Sequence, residues 1–240
     1  MIIHAHIIAF NEEKILPFIL DYYSIICEKI YIYDNMSTDS SDEIYKKYEK
    51  VTVIKSNSDD TFNDFINKEI KSNCYKQFSQ DADWVIVCDC DEILYHPNLI
   101  NMLKYYKKIG VDVPQIDGRD MVSETFPVYD GRLITEIVQT GSGTYDIMCK
   151  NIVFNPKKDM SFSFGAHWSK CPDCVRSEDR VLKLLHYKLL GKDYVKNIYA
   201  KRLERLSRFN LENGFGIHYN NPPMEYMDKL LTENRNVVLE

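Results

Sequence analysis

Trp84-Val85-Ile86-Val87-Cys88-Asp89-Cys90-Asp91-Glu92 is the stretch on which the reading of this chain turns. Five apolar residues run without a break, the pattern of a strand buried on both faces of a parallel sheet. Three carboxylates then fall within four positions. Side chains alternate along an extended chain, so Asp89 and Asp91 share a side and Cys90 points away. Two like charges held together are costly unless a cation neutralises them. Hard oxygen ligands suit Mg²⁺ or Mn²⁺, which take one or two carboxylates and complete their shell with phosphates and water. An ion there would bridge two phosphates and stabilise a departing diphosphate. The plainer alternative is an acidic turn after a strand.

Upstream, Ile2 to Phe10 is a second continuous apolar run of strand length. Ile15, Phe18, Ile19 and Tyr22 follow at helical spacing, with Pro17 tolerable in a first turn. Lys29 to Tyr33 makes another strand and ends in the turn-rich stretch Asp34 to Asp39. Ser37 or Thr38 is expected to cap a helix running to about Glu49 with Ile44 and Tyr48 inward. Val51 to Lys55 is the third strand and Phe62 to Phe78 a longer helix. Trp84 to Cys88 is therefore the fourth strand, and Pro97 opens a helix to about Lys107. This alternation implies an α/β fold with a mostly parallel sheet and ligands at the carboxyl ends of its strands. That position weighs against the bland reading of the acidic turn.

Beyond residue 110 the rhythm changes. Short strands are expected at Val111 to Ile116, Leu133 to Val138, Ile147 to Phe154 and Ser161 to Phe164, and one amphipathic helix from Tyr194 to Asn213. No repeat or linker interrupts the chain, so the expectation is one domain over residues 1–240. The regular βα alternation covers 1–110, and a mixed second half with a C-terminal helix covers 111–240.

Composition narrows the function. The 240 residues carry 30 Lys and Arg against 36 Asp and Glu, a net charge of -6. That balance argues against nucleic acid as the main partner, because phosphate backbones demand a basic surface. No apolar run approaches the ~20 residues that span a bilayer. The start holds His4 and His6 and leads into Asn11-Glu12-Glu13, so it reads as a strand rather than a signal peptide. Seven cysteines, an odd count spread through core-like runs, favour a reducing, cytoplasmic setting.

At this point the chain resembles the family-two-like glycosyltransferases with the GT-A fold, in a bacterial and viral subset. Four blocks carry the likeness. Ile7-Ile8-Ala9-Phe10-Asn11-Glu12-Glu13 with Leu16-Pro17 is similar to their first strand and donor loop, and Tyr33 to Ser40 to their Asp-Asn-x-Ser-x-Asp turn. Asp83 to Glu92 is similar to their metal strand. Met121-Val122-Ser123-Glu124 with Phe126-Pro127, Tyr145-Asp146, Gly165-Ala166-His167 and Leu185-His186-Tyr187-Lys188 make the fourth. The resemblance implies a Rossmann-like nucleotide-binding half over 1–110, an acceptor-side half over 111–240, a UDP-, GDP- or dTDP-sugar donor, inverting displacement and a divalent cation. It also implies that Asn11, Glu12, Asp34 and Asp39 hold the nucleoside and that Asp89 joins the donor site. Carboxylates and amides at strand ends suit a ribose or a base, although simple helix capping explains Asp39 equally well. Met36 and Ser40 stand where glycine is frequent in the wider family.

An inverting transfer needs a general base for the acceptor hydroxyl. Asp117, Asp120, Glu124 and Asp146 are the candidates downstream of the metal strand. Glu124 leads because it follows a strand within the Met-Val-Ser-Glu block, and Asp120 is second. His167 could complete the metal shell with Asp89 and Asp91, or be a structural histidine. Lys188 could reach a donor phosphate, although an alternating core strand explains Leu184, His186 and Lys188 as well. A competing zinc site would group His167, Cys171 and Cys174, lacking a fourth ligand.

Arg180 to Arg208 holds nine Lys or Arg against Asp193 and Glu204. A solvated helix face is the default, and peripheral contact with anionic lipid at the inner face of a membrane the alternative. The expected acceptor is a hydroxyl of a glycan or lipid-linked sugar. Two rivals remain: a nucleotidyltransferase, which would carry a glycine-rich basic loop where Asn11-Glu12-Glu13 stands, and a non-catalytic sugar- or protein-binding domain of the same fold.

Overall fold

The computed structural model describes residues 1–56 and 61–238. Strands β1 (Ile3–Ala9), β2 (Lys29–Asp34), β3 (Val51–Lys55) and β4 (Trp84–Asp89) alternate with helices α1 (Leu16–Ile26), α2 (Ser41–Tyr45) and α3 (Asp64–Phe78). A short strand β5 (Glu92–Tyr95) and helix α4 (Leu99–Lys108) follow. The main sheet runs β3-β2-β1-β4, all parallel, and is closed by the antiparallel β7 (Val153–Phe154). Register sets Ala9 beside Asp34 and Ile8 beside Asp89, so β1, β2 and β4 end at one level.

Both faces of β1 are buried. Ile3, Ala5, Ile7 and Ala9 fill one side, while His4 and His6 occupy the other at 0% and 1% exposure. Ser79, which caps the end of α3, meets both rings: its Oγ lies 2.9 Å from His4 Nδ1 and 2.7 Å from His6 Nε2, while the buried His4 Nε2 has no hydrogen-bond partner among the described residues. Burial drives the His6 imidazole down to about 3, so it is neutral. Helix α1 buries Leu16, Phe18, Ile19 and Leu20, each worth about 1.5–3 kcal/mol. From the same helix, the Tyr23 hydroxyl donates to Glu92 O (2.9 Å) and the Tyr22 hydroxyl to Leu94 O (2.7 Å). The turn Asp89–Glu92 is thereby tied to the core.

A second sheet, β5-β10-β6, joins β6 (Ile116–Ser123) to β10 (Leu182–Leu190), with β10 antiparallel to β5 and parallel to β6. A hairpin of β8 (Ser161–Phe162) and β9 (Ser169–Lys170) stands apart. The rest is helical: α5 (Ile134–Ile137), α6 (Lys192–Glu204), α7 (Arg208–Asn213) and α8 (Met224–Glu233). No described helix is long and apolar enough to cross a membrane.

Several expected elements differ. Helix α2 is one short turn, because Ser37 faces the first loop instead of capping: its Oγ accepts from Asn11 N at 2.9 Å. Val111 to Gln115 does not join a strand; Pro114 lacks a donor, and the Asp112 carboxylate takes the Val175 N–H instead. Leu133 to Val138 coils into α5, with the Glu136 carboxylate accepting from Leu133 N. Only Val153–Phe154 of the Ile147 to Phe154 stretch is strand, and Asp146–Met148 is a 3₁₀ turn. The long C-terminal helix breaks at Arg205–Ser207, where Arg205 O and Ser207 N bond Phe62. Ser207 then caps α7.

Candidate functional site

Where β1 and β4 end, a cavity of about 250 Å³ opens between the two sheets, α3 and α6. Asp89 and Asp91 both line it. Asp89 Oδ1 lies 2.7 Å from Lys71 Nζ, and its Oδ2 is 3.8 Å from Lys150 Nζ. Burial opposes ionisation, yet these two ammoniums hold the Asp89 carboxyl below the usual range. Behind them sits Glu92, wholly buried, paired with Lys150 and accepting the Asp89 N–H at 2.9 Å. The acidic turn is thus fixed by a buried ion pair.

Asp91 faces a different set. Strand register puts His186 of β10 beside Glu92 of β5 and beside Asp120 of β6. His186 Nδ1 lies 2.7 Å from Asp120 Oδ1, and its Nε2 is 3.6 Å from Asp91 Oδ2. Burial disfavours the charged imidazole, but the two carboxylates overcome it and raise the His186 pKa to about 9. Arg202 on α6 reaches Asp91 at 3.9 Å and Glu12 at 3.6 Å, and donates to the Tyr219 hydroxyl at 3.2 Å. Against the cost of burial, His186, Arg202 and Lys188 hold Asp91 ionised. Glu12 goes the other way: burial outweighs Arg202 and lifts it to about 7.

Seven lysine or arginine side chains line the cavity (Lys68, Lys71, Lys150, Lys188, Lys201, Arg202 and Arg205) against four carboxylates, Glu12, Asp64, Asp89 and Asp91. Although the chain is acidic overall, this cavity is basic and suits an anion bearing several charges. Lys188 stands over the rings of Tyr199 and Tyr219, at 5.0 and 4.9 Å from their centroids. Burial and Arg202 depress its pKa. Asp64, at the start of α3, accepts from Asn210 Nδ2 at 2.8 Å, and burial raises its pKa.

Of the residues anticipated for the nucleoside, Asn11 and Glu12 line the cavity and Asp34 and Asp39 do not. Asp34 is fully buried and accepts from Ser37 N (2.8 Å), the Tyr45 hydroxyl (3.0 Å) and Lys55 Nζ (3.0 Å). Asp39 accepts from Glu13 N and Ser41 N, both at 3.0 Å. Asn11 Oδ1 accepts from Thr38 N at 2.7 Å, and Glu13 takes Ser40 N at 3.1 Å. The two loops are therefore latched to each other. Asn11 and Met36 adopt left-handed backbone at φ 51 and 60, which is costly for a residue with a side chain.

The four carboxylates weighed as base lie elsewhere. Glu124 is exposed just past β6, and Asp146 is exposed on its turn. Asp117 pairs with Arg119, and Asp120 sits behind His186. His167 does line the cavity, with Nδ1 2.9 Å from Ile147 O. The zinc reading is corrected: Cys171 and Cys174 form a disulfide, so neither offers a thiolate. Cys27, Cys74, Cys88, Cys90 and Cys149 are free. Among the described residues no group of three or more His, Cys, Asp or Glu is placed to hold a metal.

Lys71, Lys150 and Arg202 escaped the sequence reading. Lys68 and Lys71 sit three apart on one helix face, a spacing that could have flagged the first. Arg202 was inside the basic stretch but indistinguishable there from solvated neighbours. Lys150 carries no local signal.

The architecture has solved counterparts. The chain is similar to S. aureus TarS 1-349, with a TM-score of 0.50 and 12% identity over 95% of this chain and 73% of that one. The fold is GT-A-like. The same protein in complex with UDP-GlcNAc matches with a TM-score of 0.50 and 12% identity, covering 95% of this chain and 74% of that one. In complex with UDP the values are 0.50 and 12%, covering 95% and 73%. No protein-family model and no curated protein matches the chain.

Proposed function

We propose that this chain is a glycosyltransferase that moves a sugar from a nucleotide-sugar donor to a hydroxyl of a glycan or lipid-linked acceptor, with inversion. The observation that carries the reading is the basic cavity at the carboxyl ends of β1 and β4, built around two fixed, ionised aspartates. The likeness to structures bound to UDP-GlcNAc and UDP supports a donor of that class. Lys71, Lys150, Lys188 and Arg202 would hold the diphosphate, while Asn11 and Glu12 face the nucleoside side of the cavity.

Asp91 would offer a hard oxygen to Mn²⁺ or Mg²⁺, whereas His186, charged between Asp91 and Asp120, has no lone pair for a cation and stays a hydrogen-bonding partner of the two carboxylates. Diphosphate oxygens and water complete such shells. Asp89, already engaged by Lys71 and Lys150, acts by holding those cations, and His167 lies on the acceptor side of the same cavity. A bound ion would stabilise the negative charge of the departing nucleoside diphosphate.

For the acceptor proton we favour Asp64 over Glu124 and Asp120. It lines the cavity, an amide orients it, and its raised pKa suits a proton acceptor. The nucleotidyltransferase reading lacks support, because the loop after β1 is Asn11-Glu12-Glu13, latched to its neighbour rather than free to wrap phosphates.

Calorimetric titration with UDP, GDP and dTDP, with and without Mn²⁺, tests the donor class. Slow release of diphosphate from the matching nucleotide sugar then separates an enzyme from a binding module. Failure of all three nucleotides to bind would sink the proposal.

A further inference from the structure

Two cations of the cavity meet at one aromatic side chain. Tyr219 lies on the 3₁₀ turn Ile217–Asn220, is 6% exposed and lines the cavity. Lys188 Nζ stands 4.9 Å from the centre of its ring, and its hydroxyl accepts from Arg202 Nη1 at 3.2 Å. Tyr199 is the second ring against Lys188, at 5.0 Å, and meets Tyr219 edge-to-face with centroids 5.2 Å apart. Among the described residues no hydrogen bond or ion pair reaches the Lys188 ammonium. The two rings hold it.

The surrounding backbone keeps Tyr219 in place. Gly214 and Gly216 both take left-handed backbone, at φ 69 and 74, a conformation that disfavours any residue with a Cβ. A Cβ at Gly216 would also fall 2.5 Å from Leu206 Cδ2. Tyr219 N donates to Gly216 O at 3.0 Å, and Phe62 packs edge-to-face on the ring with centroids 5.8 Å apart. Across the cavity, β10 slips register with β6 between His186 and Leu189. Lys188 sits at that irregularity, a kind of local distortion that re-aims a side chain.

Two like charges in one enclosed site repel each other. Burial lowers the Lys188 pKa, Tyr219 raises it, and Arg202 lowers it again. A carboxylate between the two cations would relieve the repulsion, but it would also repel a phosphate. Tyr219 relieves it without a formal charge: the face of the ring attracts the ammonium, and the phenol oxygen takes a guanidinium N–H. Burial opposes ionisation of this phenol, yet Arg202 and Lys188 draw its pKa below the ordinary value. Building on the glycosyltransferase reading, we propose that Tyr219 is a positioning residue that holds Lys188 and Arg202 side by side for the donor diphosphate without adding a negative charge.

Inorganic pyrophosphate, which carries neither base nor sugar, is the probe, titrated by calorimetry with no divalent ion added. The unaltered protein should bind it, and Lys188→Met should bind it about tenfold more weakly. Tyr219→Leu removes both the ring and the hydroxyl and should cost about thirtyfold, but only about threefold when introduced into Lys188→Met. A residue that merely supported the fold would cost the same factor in both backgrounds, and that result overturns the proposal. It is equally overturned if the unaltered protein does not bind pyrophosphate, or if Lys188→Met binds it undiminished. Should the leucine variant not fold, Tyr219→Phe decides: it keeps the ring and should lose about threefold alone and nothing further in Arg202→Met. Equal losses in those two backgrounds overturn the proposal as well. Because pyrophosphate is not a donor, the expected couplings in a protein that releases no diphosphate from any nucleotide sugar would sink the glycosyltransferase reading and leave Tyr219 standing as part of an anion clamp. Turnover without the couplings would do the reverse.

Discussion

Asp120 Oδ1 lies 2.7 Å from His186 Nδ1, across a register pair of β6 and β10. The carboxylate fixes the ring so that its other nitrogen faces Asp91. Asp120→Asn keeps the shape but removes one of the two carboxylates that keep the imidazole charged. The His186 pKa should fall below its value of about 9, read by NMR titration of the ring. An unchanged titration would show that Asp120 does not hold that proton.

Asp91 is the carboxylate on which His186, Arg202 and Lys188 converge. Asp91→Ala should reduce transfer by about a thousandfold or more, while far-ultraviolet circular dichroism stays native. Full activity in this variant would end the case for the acidic turn.

Asp64→Asn tests the proton acceptor. It can keep a hydrogen bond to Asn210 but cannot take a proton, so kcat should drop by about 10²–10⁴-fold with donor KM little changed. Glu124→Gln, altering an exposed group outside the cavity, should be near neutral. The reverse ranking would restore Glu124 as base.

Lys150→Met strands Glu92, which is 0% exposed. Removing one partner of a buried ion pair costs about 3–5 kcal/mol, so the urea midpoint should fall well below that of the unaltered protein. A midpoint within error of the original would show that Glu92 is satisfied elsewhere.

Acid should weaken the fold through β1. His6 is neutral when folded because burial, aided by His4, lowers its pKa to about 3, whereas unfolded it titrates near ~6.5. The unfolded chain therefore binds the additional proton, and stability is full above pH ~6.5 and declines as pH falls toward ~3, by about 1.4 kcal/mol per unit. His6→Phe should flatten this slope in urea unfolding between pH 7 and 5. A slope unchanged by the substitution would assign the acid sensitivity to other groups.

The first half of the fold was readable because each strand from β1 to β4 is a continuous apolar run, and burial on both faces leaves little freedom of interpretation. The second half was not. Leu133 to Val138 has enough apolar residues for either period, and its helix is fixed by Glu136 reaching back to Leu133 N. The break between α6 and α7 depends on Phe62, which lies more than a hundred residues upstream. In the cavity, Asp89 and Asp91 could be picked out because they are adjacent to a strand end. Their partners Lys71, Lys150, His186 and Arg202 come from four separate segments, and only packing brings such charges together.

The latch between the Asn11 and Thr38 loops carries an implication for engineering. Asn11 and Glu13 accept from Thr38 and Ser40 while Ser37 and Asp39 accept from Asn11 and Glu13, so each loop holds the other in place. Transplanting one without the other would orphan these partners, whereas exchanging both should move the whole rim as a cassette. Attempts to retune the proposed nucleotide site should therefore treat the pair as one module.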